Sequence, residues 1–220
     1  MDSVAPLTIA VLLKHVPDMN AIRIDRATGQ IVLSPQRGIS SYDEYAIEAA
    51  LRLKEAFAGE VIVVSAGPAS ARDGITRALA MGADRGIHLE LPDVNAVDTL
   101  AIARLLASAV KPLECSVVLA GQTADDLETG QVGAQVAELL GMPVISNVVE
   151  IQLELETQSL TARRDMEDGY QTVRATLPVL LLSSTGLDEP RLPSLKGIMS
   201  AKRKPIDSAV ATAEDNTRLA

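Results

Sequence analysis

The stretch SVVLAGQTADDLETGQVGAQVAELLG, residues Ser116 to Gly141, decides how this 220-residue chain is built. Ser116 to Ala120 is a short apolar run of β-branched and small residues, and Gly121 ends it. A polar loop follows, and from Thr129 the spacing predicts a helix with Val132, Val136, Leu139 and Leu140 on one face. Strand, glycine-containing loop and helix N-terminus together suit a phosphate, because unpaired backbone N–H groups and the helix dipole both favour an anion there. The loop holds neither GxxxxGK nor GxGxxG, so it is neither a P-loop nor a dinucleotide fingerprint. On this stretch alone an ordinary β–α turn stays open.

The segments upstream repeat the same rhythm. Leu7 to Leu13, Glu60 to Ser65 and Gly86 to Leu91 are apolar runs that predict strands. Asp43 to Phe57, Ser70 to Met81 and Ala96 to Val110 predict helices, the first with Ser40, Ser41 and Asp43 as N-cap candidates. Regular alternation of this kind gives an α/β fold, a right-handed, doubly wound parallel sheet of Rossmann-like type. Between the first strand and helix, Ile22 to Asp25 and Gln30 to Leu33 flank Arg26-Ala27-Thr28-Gly29, which predicts an inserted β-hairpin. Downstream of Pro143 the period changes. Asn147 to Glu156, Ser159 to Arg164 and Tyr170 to Thr176 alternate apolar and polar residues, as in a small antiparallel meander near the C-terminus. Pro178 to Ser183 reads as a buried strand that can return to the main sheet. Asp188 to Pro205 holds three prolines, one glycine and no helical pattern. Residues 1–207 are thus expected as a single α/β domain and 208–220 as a polar tail.

Composition narrows the function. The apolar fraction is 47% but aromatics are only 2%, a small-aliphatic core that suits helices packed on a parallel sheet. A net charge of −9, with no basic stripe, argues against nucleic acid. No apolar run approaches the roughly 18 residues of a membrane span, and the N-terminus lacks a signal-peptide pattern, so a cytoplasmic protein without membrane insertion is expected. The single cysteine, Cys115, opens an apolar strand and reads as a buried structural thiol.

Ligands of doubly wound sheets bind outside the strand C-termini, at the switch point. Leu12 to Val16, Ser40 to Asp43, Ser65 to Pro68 and Gly121 to Gly133 lie there, and a mononucleotide fits them. Its phosphate would sit on N–H groups around Asp126 to Gly130, with the hydroxyls of Thr123 and Thr129. Asp125, Asp126 and Glu128 would repel it unless they turn outward, and at least two of them read as solvated acids completing a helix dipole. No carboxylate pair stands in an apolar frame that would raise a pKa. His15 and His88 read as locally hydrogen-bonded, and two histidines with one distant cysteine give no metal-ligand spacing. There is no Gly-x-Ser-x-Gly elbow. Without a catalytic constellation, a binding module or carrier is favoured over an enzyme.

Several separated segments resemble the β subunit of electron transfer flavoproteins, the FixA-like family. They are Asp43-Glu44-Tyr45-Ala46-Ile47-Glu48 with Leu51 to Glu55, Val64-Ser65-Ala66-Gly67-Pro68, Arg77 to His88, the Gly121 to Gly133 loop, Arg164 to Gly169 with Leu177-Pro178-Val179, and Leu187 to Arg191 leading to Ile198 to Lys202. The match runs in order over about residues 7 to 207.

The resemblance implies a heterodimer with an α subunit that carries a redox-active FAD. It also implies electron transfer from acyl-CoA-type or other flavin dehydrogenases to a quinone oxidoreductase or another acceptor. The β subunit of most members binds AMP, whereas electron-bifurcating members bind a second FAD in it; the residues do not choose between the two. By the same resemblance, nucleotide contacts fall on Leu12, on Ser40, Ser41, Tyr42 and Asp43, on Ala66, and on Thr123, Ala124, Asp125, Asp126, Thr129, Gly130, Gln131 and Val132. The family's partner-recognition loop falls on residues 186–204, including Pro190, Arg191, Lys196, Ile198 and Met199, with Leu195 at the place of the anchoring leucine. Ser40-Ser41-Tyr42 stands where many members have Asn-Pro-Phe, the phosphate loop is shorter than in mitochondrial-type members, and typical members continue past the position of Ala220 with an arm that clasps the α subunit. An ATP-using α-hydrolase or ligase of similar fold is the alternative. Lys14-His15-Val16-Pro17-Asp18 is unlike the Gly/Ser-rich pyrophosphate loop such enzymes carry, and a lone stress-type nucleotide-binding protein is a third reading.

Overall fold

In the computed structural model, residues 7–94 and 97–210 are described. The chain runs β1 Thr8–Leu12, β2 His15–Pro17, β3 Arg23–Ile24, β4 Ile31–Val32, β5 Arg37–Ile39, α1 Ser41–Phe57, β6 Glu60–Gly67, α2 Ala71–Met81 and β7 Arg85–Glu90. It continues with α3 Thr99–Val110, β8 Val117–Gly121, α4 Val132–Leu140, β9 Val144–Glu154, β10 Ser159–Met166, β11 Gly169–Thr176, β12 Val179–Ser183, α5 Leu195–Ala201 and β13 Ile206–Val210. Nine of these strands form one sheet in the order β11-β10-β9-β12-β8-β1-β6-β7-β13. From β9 to β13 every pairing is parallel; β9, β10 and β11 pair antiparallel.

Period-2 alternation in the central strands sorts the core into two layers. Ile9, Val11, Val61, Val63, Leu119 and Leu181 pack with α1 and α2 residues such as Ile47, Leu51, Ile75 and Leu79. Their neighbours Ala10, Leu12, Ile62, Val64, Val118, Ala120, Leu180 and Leu182 pack with Ala103, Leu106 and Val136 of α3 and α4 on the opposite face. The expected doubly wound sheet is what forms. β1 has β6 on one side and β8 on the other, so the switch point lies between β1 and β8.

Several local readings need correction. The helix expected from Thr129 begins at Val132, because Glu128 and Gly130 adopt left-handed backbone (φ 51° and 61°) that no helix accommodates. Leu139, placed on its apolar face, is exposed. The helix expected from Ala96 begins at Thr99, where the Asp98 side chain accepts from the Ala101 N–H, and Ala96 itself lies outside the described residues. The meander forms as expected, but its first strand, β9, starts at Val144 rather than Asn147 and pairs with β12, so it extends the main sheet. Residues 188–205 do contain a helix, the seven-residue α5, too short to show a period and started by the Ser194 hydroxyl accepting from the Gly197 N–H. Ser208 to Val210, read with the tail, belong to β13, which is held by the free edge of β7. The expected hairpin forms as β3–β4, and a second ribbon, β2–β5, closes its base.

Candidate functional site

A cavity of about 680 Å³ opens at the C-terminal ends of β1, β6 and β8. Its floor is Leu12, Leu13, Ala66, Ala120 and Gly121; one wall is the loop 122–133, and the other comes from Pro17, Met19, Leu33 and Arg37 of the inserted ribbons with Val97, Asp98, Thr99 and Ile102.

Asp43 sits at the switch point itself. Its buried carboxylate accepts from the Lys14 N–H (2.7 Å) and the Gly121 N–H (2.9 Å), pinning together the chain ends that leave β1 and β8. Burial pushes its pKa up to about 7, opposed by those two N–H bonds and aided by nearby Asp125. The sequence shows no carboxylate pair in an apolar frame, and the frame around this single carboxylate is assembled from segments far apart in the chain. Gly121 is required there: a Cβ would stand 2.6 Å from Asp43 Oδ1 and 2.7 Å from Tyr42 Cβ.

The acids of the loop are not solvated dipole partners of α4, as two of them were expected to be. Asp125 accepts from the Ser41 N–H and the Ser41 hydroxyl, both at 2.7 Å, and so caps α1 from another segment. Ser40, the residue at the cap position, makes no side-chain cap; its buried hydroxyl accepts from the Asp125 N–H at 3.3 Å. Asp126 is paired with Lys14 Nζ at 2.7 Å. Only Glu128 of the three is exposed. Two of the three loop carboxylates are thus engaged elsewhere: the amides of Thr129, Gly130, Gln131, Val132, Gly133 and Ala134 donate to no described residue, and the buried Thr123 hydroxyl has no partner. Thr99 donates to Gln131 (2.8 Å) and accepts from Gln135, which ties α3 to the cradle.

Of the predicted nucleotide contacts, Leu12, Asp43, Ala66, Thr123, Ala124, Asp126, Thr129, Gly130, Gln131 and Val132 line this cavity. Ser40, Ser41, Tyr42 and Asp125 stand behind its wall and hold it; the Tyr42 carbonyl, for instance, accepts from the Ser183 hydroxyl at 2.8 Å. Reasoning from sequence missed the wall from Val97 to Ile102 and the contribution of Met19, Leu33 and Arg37. Asp98 as an N-cap was the one available signal for the first; nothing local signals the second. His88 is buried beside the Gly67 carbonyl (3.2 Å), in keeping with its reading, whereas the buried Nδ1 of His15 has no partner. Burial, and then Arg37, lower the His15 pKa. Cys115 is buried and its pKa pushed up to about 12, unsuited to a nucleophile.

A model of the electron transfer flavoprotein domain matches residues 28–214. The electron transfer flavoprotein subunit β of Thermoanaerobacterium thermosaccharolyticum is 38% identical over 213 residues, covering 95% of this chain and 80% of that protein. The human electron transfer flavoprotein subunit β is 38% identical over 210 residues, 92% of this chain and 81% of its own length. This chain belongs to the electron transfer flavoprotein β-subunit family. It is an electron-transfer subunit, and the β-subunit name implies an α-subunit partner. The caffeyl-CoA reductase-Etf complex subunit CarD of Acetobacterium woodii is 39% identical over 203 residues, 91% of this chain and 77% of that protein.

Against this family background the second feature of the surface gains weight. On α5 and the turn before it, Leu192, Leu195, Ile198 and Met199 are exposed, Leu195 to 76%. Their base is ionic. Arg191 donates to buried Glu48 (Nε to Oε2, 2.7 Å) and to Glu55, while Arg52 pairs with Glu48 and with Asp188 (2.6 Å). Burial works to raise the Glu48 pKa, but the hydrogen bonds from Arg191 and Arg52 outweigh it and hold the carboxyl below its usual range. Of the six residues expected to contact a partner, Leu195, Lys196, Ile198 and Met199 are exposed, Pro190 is half-buried, and Arg191 is committed to α1.

Among the described residues no helix is long and apolar enough to cross a membrane, and no three His, Cys, Asp or Glu side chains are grouped to hold a metal.

Proposed function

We propose that this subunit holds an adenine nucleotide in the switch-point cavity and works beside an FAD-carrying α subunit, passing electrons from a flavin dehydrogenase to a quinone oxidoreductase or another acceptor in the cytoplasm. The observation that carries the nucleotide is the cradle: free amides at residues 129–133, the start of α4 and the unpartnered Thr123 hydroxyl converge on one side of a cavity whose other wall is mainly apolar, with Met19, Leu33, Val97 and Ile102. A phosphate suits the first and a planar base the second. Leu12 and Ala66 would face the base, and Thr123 with Thr129 to Val132 the phosphate. AMP is the simplest occupant. FAD is the second reading, supported by a cavity that runs past the cradle to Met19, Leu33 and Val97 and by the similarity to CarD. When bound, FAD would supply a second redox centre, and AMP none.

The exposed apolar side chains of α5 on their charged base fit the contact with an electron donor: a leucine anchor with a charged rim formed by Lys196, Lys202 and Arg203. Co-purification with the α partner, followed by denaturation and chromatography of the released nucleotides, tests the reading. One AMP per heterodimer, or a second FAD, is expected; recovery of nothing beyond the α subunit's FAD overturns it.

A further inference from the structure

Asp43 is a buried carboxylate that makes no ion pair among the described residues. It is 5% exposed, lines the cavity, and receives only two backbone N–H groups. The side chains that face it from each packed element are known. From the end of β1 comes Lys14, whose ammonium is engaged by Asp126; from the loop after β8 come Asp125 and Asp126; on α1 itself Glu44 points away and pairs with Arg77 of α2. His15 and Arg37, on the β2–β5 ribbon, line the same cavity. The carboxyl therefore lies in a low-dielectric site where the neighbouring Lys14 ammonium is engaged by Asp126, and it lines the same cavity as the loop that presents free amides.

We propose that Asp43 couples anion binding in this cavity to a proton: a phosphate-bearing ligand is taken up together with a proton on the Asp43 carboxyl, and affinity falls as pH rises. The proposal rests on the reading of the cavity as a nucleotide site. The physical reason is mutual repulsion. A phosphate charge brought into the same buried site favours the neutral carboxyl, so the liganded protein binds the proton more tightly than the free one, and by linkage the proton favours the ligand equally. The neutral carboxyl keeps both oxygens as acceptors for the Lys14 and Gly121 amides, so the clamp survives protonation. Burial already places the free carboxyl's titration at about 7, within the range where such coupling operates.

Titration calorimetry of the α–β complex, stripped of bound nucleotide, with AMP as the probe tests this. It is run between pH 5.5 and 8.5 in buffers of different ionisation heat, which count protons taken up beyond those of AMP's own phosphate. The expected result is a fraction of a proton taken up near neutral pH and a roughly tenfold weaker Kd at the alkaline end, the change set by a one-unit coupling. In Asp43→Asn the uptake disappears and the Kd becomes flat with pH. Should that variant fail to fold, Asp125→Asn keeps the test open: removing the facing negative charge moves the uptake maximum to lower pH. Binding with no proton uptake in the wild type, or uptake identical in both variants, overturns the proposal while leaving the nucleotide site intact. No binding of either AMP or FAD at any pH overturns both.

Discussion

The crevice between β1 and β8 and the outer surface of α5 hold their shapes by opposite means. In the crevice a single buried carboxylate, Asp43, gathers backbone amides from two distant chain segments and makes no ion pair of its own among the described residues. Around α5 the anchoring is ionic, with Arg191 and Arg52 strapping the segment to Glu48, Glu55 and Asp188, and the apolar residues are turned to solvent. The first arrangement makes a rigid, narrow recess for a small ligand. The second makes a sticky projection for a macromolecule. Both are attached to α1, whose first turn enters the clamp and whose middle carries Glu48.

The contrast is broken most severely at Gly121. Any Cβ there strikes the Asp43 carboxylate and the Tyr42 side chain, so Gly121→Ala is expected to lower unfolding free energy by about 3 kcal/mol and to abolish nucleotide retention, read by urea denaturation and nucleotide release. Next is the pH dependence of stability. Burial raises the Asp43 pKa to about 7 in the folded protein from an ordinary 3.8, so its contribution is full below about 3.8 and is lost as pH rises through 7. Thermal unfolding followed from pH 4 to 8 should show this loss, and Asp43→Asn should flatten it; equal slopes in both proteins would remove Asp43 as the source. On the α5 side, Arg191→Ala leaves buried Glu48 with Arg52 alone and is expected to cost about 2 kcal/mol, salt-sensitive because the network is partly exposed, with nucleotide content unchanged. Leu195→Ala is expected to change stability by less than about 0.5 kcal/mol, since the side chain is exposed, yet to slow reduction by the dehydrogenase several-fold with nucleotide content unaltered. Unchanged reduction kinetics would remove Leu195 from the contact.

Much of the fold could be read directly, because strands β1, β6 and β8 are continuous apolar runs and α1 and α2 are strongly periodic. The site was legible as a set of segments: Leu12, Ala66 and Thr123 to Val132 all follow strand C-termini, and they do converge. Less could be said of each side chain. Asp125 and Ser40 looked like a dipole partner and a cap, and their roles are nearly exchanged: Asp125 caps α1, while the Ser40 hydroxyl receives the Asp125 N–H. Arg191, read as a contact for a partner, also ties its segment to Glu48 of α1, which no local pattern signals. The helix at Leu195 escaped notice since seven residues give no period and its support is the packing of Gly197 against the Ala80 carbonyl.

Local sequence by itself determined which segments are strands and helices, that the sheet is parallel and wound on both faces, and that a glycine-bearing loop leads into α4; these follow from hydrophobic period and turn chemistry, which act over a few residues. The tertiary structure alone decided the chemistry of the crevice. Asp43 becomes a buried, proton-retaining clamp only because Lys14 and Gly121, 29 and 78 residues away, bring their amides to it. Desolvation and charge proximity depend on distance in space, and no window of sequence contains that distance.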